Sequence, residues 1–156
     1  MKRLIKFLLF GIIYITFCTG CKDTVDDDLV IYPVDLDVSD FSLNETACNW
    51  NWPTLMTNTL FVINSVEEFV SKISCQNDNV PAIDFKKYSL LYTWGSTTSG
   101  VHSIKKHLKQ TSKNDYKLSI DVKLNMATVA EGWRIVILTP KLSNNATIVL
   151  DVNLHY

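Results

Sequence analysis

Histidine is scarce in this chain of 156 residues; only His102, His107 and His155 are present. Five apart on an extended strand, His102 and His107 point to opposite faces, so local geometry does not let them share a metal or a substrate. Each reads as a surface histidine. His-Glu-x-x-His, Gly-x-Ser-x-Gly and a phosphate-cradling Gly-rich loop are all missing, which removes the usual signatures of zinc proteases, serine hydrolases and nucleotide hydrolases. Asp115, Asp121 and Glu131 read as ordinary solvated carboxylates. Basic charge is also short, with 15 Lys+Arg against 16 Asp+Glu. A nucleic-acid binder needs a basic patch, so no nucleic-acid partner is expected. Nor does any apolar run reach the roughly 20 residues that cross a bilayer; the longest spans Phe7–Cys18. No internal repeat is visible. These absences point away from catalysis, and no enzymatic activity, cofactor or metal site is expected.

What is present begins at the N-terminus. Lys2, Arg3 and Lys6 precede the apolar run, and the small residues Thr19 and Gly20 follow it. That is the layout of a secretory signal over residues 1–20. Cys18-Thr19-Gly20-Cys21 resembles the lipobox of bacterial lipoproteins, with Cys18 where Leu is usual. The resemblance implies acyl chains on Cys21, and two or more chains hold a protein stably at a membrane without a spanning helix. Lys22-Asp23-Thr24-Val25-Asp26-Asp27-Asp28 resembles the Bacteroidota-type lipoprotein export signal, a Lys and acidic residues after the anchored Cys. It implies an outer-membrane lipoprotein exposed at the cell surface; a plain acidic spacer on the periplasmic face is the alternative.

Cleavage before Cys21 would remove three basic residues and no acidic ones, leaving 12 Lys+Arg against 16 Asp+Glu, a net charge of −4. It also settles the cysteines. Cys18 leaves with the signal and Cys21 is acylated, so Cys48 and Cys75 remain. In an oxidising compartment a Cys48–Cys75 disulfide is the natural pairing, stabilising the fold by about 3–4 kcal/mol through loop closure. Two buried free thiols are the other reading. Two cysteines without a nearby histidine do not make a zinc site.

Residues 21–41 read as an acidic tether, and 42–156 as one globular domain of about 115 residues, enough for its own core. Leu60-Phe61-Val62-Ile63 reads as a strand. A helix over Ser65–Ser74 follows, with Ser65 and Glu68 as a capping box and Val66, Phe69, Val70 and Ile73 on one apolar face. Tyr88–Trp94, Val101–Gln110, Trp133–Leu138 and Thr147–Leu154 read as strands. Tyr116–Met126 alternates in period two, which marks a strand with one wet face. The expected class is α+β, mostly β: an antiparallel meander or sandwich-like sheet with one short helix packed on it.

Two features suggest binding. Trp50 and Trp52 share a face of an extended chain; exposed, they would stack on a sugar ring, and buried, they would cap the core beside Cys48. Trp94 and Trp133 lie in apolar strands and read as core. Gly95-Ser96-Thr97-Thr98-Ser99-Gly100 reads as a loop of small polar residues, and loops held by a rigid sheet carry binding function.

The stretch from Ile63 to Tyr156 resembles bacterial lipoproteins related to the PrcB-like protease-complex subunits. The likeness rests on the helix, on Ile83-Asp84-Phe85-Lys86-Lys87-Tyr88-Ser89-Leu90-Leu91, on the Gly/Ser/Thr loop and on the amphipathic strands after it. Where that family carries a Thr-Gly-Gly-Tyr-like loop, this chain has Thr98-Ser99-Gly100-Val101-His102, without the second Gly and the Tyr. The resemblance implies a small β-rich accessory domain without catalysis. The leading expectation is therefore a membrane-anchored, non-enzymatic binding or accessory lipoprotein that uses the Gly95–Gly100 loop. A protease-binding or inhibitory protein and a glycan binder are the alternatives.

Overall fold

Alternation along the strands builds two apolar cores, one on each face of a central sheet. The computed structural model describes residues 30–52, 58–76 and 80–156. The signal segment, Cys21 and most of the tether lie outside the described residues. Ile31–Tyr156 forms one compact unit.

The first sheet has the order β1 (Val34–Leu36), β7 (Val101–Gln110), β8 (Asp115–Leu124) and β10 (Thr147–His155). The second has β2 (Ser39–Asp40), β9 (Glu131–Pro140), β6 (Tyr88–Thr97) and β4 (Thr59–Ile63). A small ribbon pairs β3 (Cys48–Trp50) with β5 (Ile73–Cys75). One helix, α1 (Val66–Ser71), lies between β4 and β5. The protein is mostly β with two packed sheets and one short helix, as expected.

The period-two pattern of β8 produces the expected two-faced strand. Leu118, Ile120 and Val122 are fully buried and meet Leu91, Trp133, Ile135 and Ile137 of the second sheet. Lys117 and Lys123 on the other face are exposed. β6 is different: Leu90, Leu91 and Tyr92 are all buried, because both of its faces are covered, and such strands read as continuous apolar runs. Its second face carries Leu90, Tyr92 and Trp94, which pack with Phe69, Ile73, Leu43 and Val136 into the second core. Trp94 and Trp133 are core residues.

The strand order refines the expected meander. β7 and β8 form a hairpin in one sheet while β6 and β9 pair in the other. β10 then runs parallel to β8, with Leu150 opposite Leu118. One returning strand, β9, separates them and lies in the opposite sheet, so β10 re-enters the first sheet in the direction of β8.

Several expectations need correction. The helix ends at Ser71, not Ser74, and leaves Val66 and Val70 at 53 and 45 % exposure; Phe69 alone is buried. Ile73 is buried on β5 instead, where pairing with Trp50 competes successfully with another helical turn. The Ser65 hydroxyl does accept from the Glu68 N–H at 3.2 Å, but the Glu68 carboxylate reaches the N–H of Asn64, not that of Ser65. Met126 is 91 % exposed, because β8 stops at Leu124 and the chain turns at Asn125. The tether is shorter than residues 21–41: Leu36 and Val38 pack on the first core, and Asp35 faces His107 and Lys109 across the β1–β7 ladder.

The last correction is to the Gly95–Gly100 loop. Gly95, Ser96 and Thr97 continue β6, paired with Trp133, Gly132 and Glu131. Only Thr98, Ser99 and Gly100 make the connection to β7. Thr97 and Ser99 are buried, and Ser96 and Thr98 are exposed. Gly95 lies against the Trp133 indole, where a Cβ would also fall 2.7 Å from Asn58 Oδ1. The glycine therefore permits close packing between strands; it does not mark a flexible loop.

Candidate functional site

A groove of about 690 Å³ opens where β2 and the segment after it cross β9. Three parts of the chain form it. Asp40 to Trp52 supplies one wall, β9 supplies Arg134 to Val136, and β7 supplies Ile104 and Lys106.

The wall bearing the tryptophans is held in place covalently. Cys48 and Cys75 are bonded, S–S 2.02 Å, directly opposite each other in the β3–β5 ribbon. The Asn51 N–H donates to Lys72 O at 2.8 Å, extending the ribbon by one residue. The Tyr92 hydroxyl then donates to Asn51 O at 2.9 Å and ties this ribbon to the central sheet. Burial pushes the Tyr92 phenol up to about 12, with the Arg134 charge pulling the other way.

Trp50 and Trp52 are half-buried and line the groove. They are neither free platforms nor closed core. Trp52 stacks on Tyr92 at 4.4 Å between centroids and 11° between planes, and meets Trp94 edge-on at 5.8 Å. Trp50 contacts Tyr92, Phe69 and Phe41 at 5.0, 5.8 and 6.2 Å. Each indole thus has one side locked by other rings, which removes most of the entropy cost of holding it for a ligand.

The charges in the groove are arranged unequally. Lys106 is only 21 % exposed and is neutralised by an ion pair with Asp40. Arg134 is exposed, and its Cζ sits 5.1 Å from the Trp52 ring centroid, a cation–π contact. Among the described residues no carboxylate pairs with Arg134. Asn49, Ser42 and Asn44 add exposed hydrogen-bonding groups along the same wall.

The structure does not bring the other expected site residues here. None of Gly95, Ser96, Thr97, Thr98, Ser99 and Gly100 lines the groove. Thr97, Ser99 and Gly100 use polar atoms locally. Thr97 Oγ1 donates to Ser99 O, Ser99 Oγ lies 3.0 Å from the Tyr156 hydroxyl, and Gly100 N donates to Ala127 O at 3.2 Å. His107 Nε2 is 2.9 Å from Asp35 Oδ1, while His155 lines a separate cavity of about 390 Å³ with Lys105, Asp121 and Tyr156. The carboxylates are engaged individually: Asp115 accepts from Ser112, Asp121 from Asn153 and Glu131 from the Val101 N–H. Among the described residues no three His, Cys, Asp or Glu side chains cluster as a metal site would require. No described helix is long and apolar enough to cross a membrane.

Sequence reasoning missed Arg134, Lys106 and Asp40. Arg134 had a usable signal: it is the one charge in the apolar run Trp133–Leu138. Lys106 and Asp40 had none, because they lie on strands of different sheets, β7 and β2, and meet only in the folded structure.

No family model, curated protein or solved structure matches this chain. Half-exposed indoles over a rigid aromatic base suit a ligand with an apolar face, and the amide, hydroxyl and guanidinium groups suit one that is rich in hydroxyls.

Proposed function

We propose that this protein is a non-enzymatic, lipid-anchored binding domain at the outer membrane, facing the cell surface, and that it takes carbohydrate into the groove beside Trp50 and Trp52. The location rests on Cys21 and the acidic run after it. The ligand class rests on one observation: two adjacent indoles, each half-buried on an aromatic base, line a groove beside the exposed polar groups of Ser42, Asn44, Asn49 and Arg134. The C–H face of a pyranose packs on an indole while its hydroxyls take hydrogen bonds from the rim. An apolar ligand would strand those rim groups. A protease-inhibitor reading needs a protruding segment, and the Gly95–Gly100 stretch, largely strand and buried turn, lends it no support.

The test is titration of the mature domain with a panel of neutral and acidic oligosaccharides, read by calorimetry. Trp50→Ala and Trp52→Ala, checked by thermal melting for folding, should each weaken binding about 2- to 10-fold, the worth of one lost ring contact. A wild-type domain that binds nothing in the panel sinks the proposal. So does binding that is unchanged in both folded variants.

A further inference from the structure

The groove carries a specificity that the tryptophans alone do not explain. Of its two cations, Lys106 is neutralised by Asp40, whereas Arg134 meets only the Trp52 ring among the described residues. The groove is therefore locally positive, while the chain from Cys21 onward has 12 Lys+Arg against 16 Asp+Glu. A net-negative domain repels anionic ligands at long range. A guanidinium with no carboxylate partner among the described residues reverses that preference at one point inside the ring-lined groove.

Arginine is also the residue suited to this role. Its planar fork offers parallel N–H donors that match a carboxylate bidentately, and it stacks on an aromatic face while doing so. The Trp52 contact, Cζ to centroid 5.1 Å, orients the fork before any ligand arrives. The Tyr92 stack beneath Trp52 and the Tyr92–Asn51 hydrogen bond fix that indole in turn. The line from Tyr92 through Trp52 to Arg134 is thus a preorganised platform ending in a cation.

From this geometry we infer that the preferred ligand is an acidic sugar, a uronate unit whose ring lies against Trp50 and whose carboxylate is bound by the Arg134 fork seated on Trp52. The inference rests on the carbohydrate reading and goes beyond it by naming the charged group and the residue that selects it. Arg134 acts as a specificity residue. The ring contacts supply affinity common to acidic and neutral sugars, and the guanidinium separates them.

The experiment uses the full mature domain and paired probes that differ only in charge: oligogalacturonate, oligomannuronate and oligoglucuronate, each beside its methyl ester, with dextran sulfate as a sulfate-only anion. At least one uronate should bind about 10- to 100-fold more tightly than its ester, the worth of a charge-assisted hydrogen-bond pair. Arg134→Gln should bring acid and ester to within about twofold, weakening acid binding by a larger factor than ester binding. Arg134→Lys should recover only part of the discrimination, because a point charge lacks the fork. Lys105→Gln removes the same charge from outside the groove and should change nothing. If esters bind as tightly as their acids, the acidic-sugar inference is overturned and the carbohydrate reading survives. The inference is overturned equally if Arg134→Gln weakens acid and ester by the same factor, or if only dextran sulfate binds. If no probe binds, both fall together.

Discussion

The Trp52 indole lies flat on the Tyr92 ring, with centroids 4.4 Å apart and planes 11° from parallel. Tyr92 is fully buried and spends its hydroxyl on Asn51 O. Burial disfavours the phenolate and raises the group from 10.0 to about 12. A raised acid is stabilising in its neutral form. Its contribution is complete below the unfolded value of 10.0 and disappears as pH climbs towards about 12. Thermal melts across that window should show stability falling in the wild type. Tyr92→Phe should cost about 1 kcal/mol at neutral pH, for the lost hydrogen bond, and show a shallower alkaline decline. The decline should not vanish, because Tyr116 is also raised, by burial and by Tyr32. An alkaline profile identical in the two proteins would remove Tyr92 from this role.

The β3–β5 ribbon depends on its crosslink. It has three residues per strand and is joined through Cys48 and Cys75, 27 positions apart. Replacing both cysteines by alanine should lower stability by about 3–4 kcal/mol, or roughly 10–20 °C in melting temperature. Because Trp50 and the Asn51 partner of Tyr92 ride on this ribbon, sugar binding should weaken further than melting alone explains. Calorimetry well below the melting point separates the two effects. Retention of full affinity would show that the aromatic cluster holds the groove without the bond.

The proposed lipid anchor at Cys21 is tested by substitution. Cys21→Ser should shift the protein from the membrane fraction to the soluble fraction, because roughly 0.8 kcal/mol per buried methylene is lost with the acyl chains. Metabolic labelling with a fatty acid analogue should mark the wild type alone. Membrane retention of the variant would count against lipidation at that residue.

Much of the fold was legible wherever neighbouring residues decide the outcome. The alternation from Tyr116 to Leu124 set both the strand and its buried face. Cys48 and Cys75 could be paired once Cys18 and Cys21 were set aside on the expected export signal, and the two are bonded. The helix was over-extended because Ile73 fits the apolar stripe equally well, and only the distant partner Trp50 draws it into a strand. The tether was drawn too long for a related reason. Val34-Asp35-Leu36-Asp37-Val38 alternates in period two, yet its carboxylates read as spacer until Lys109 and His107 are placed opposite Asp35. Small polar residues made Gly95–Thr97 look like a loop, but the space left by Gly95 is filled by Trp133. The groove was half visible. Trp50 and Trp52 stood out in the sequence, while the cations that give the site its sign come from strands that meet only in three dimensions.

The pairing of early strands with late ones also governs when this chain can fold. β1 waits for β7, and β2, at Ser39–Asp40, finds its partner only at Ile137 and Leu138. Between them the two sheets exchange strands repeatedly, so neither sheet can be completed from a contiguous piece. Such topologies fold slowly, because distant segments must meet before burial rewards them. For a polypeptide exported as proposed, threaded through a membrane before it matures, that delay would keep the chain unfolded until the last strands have been released.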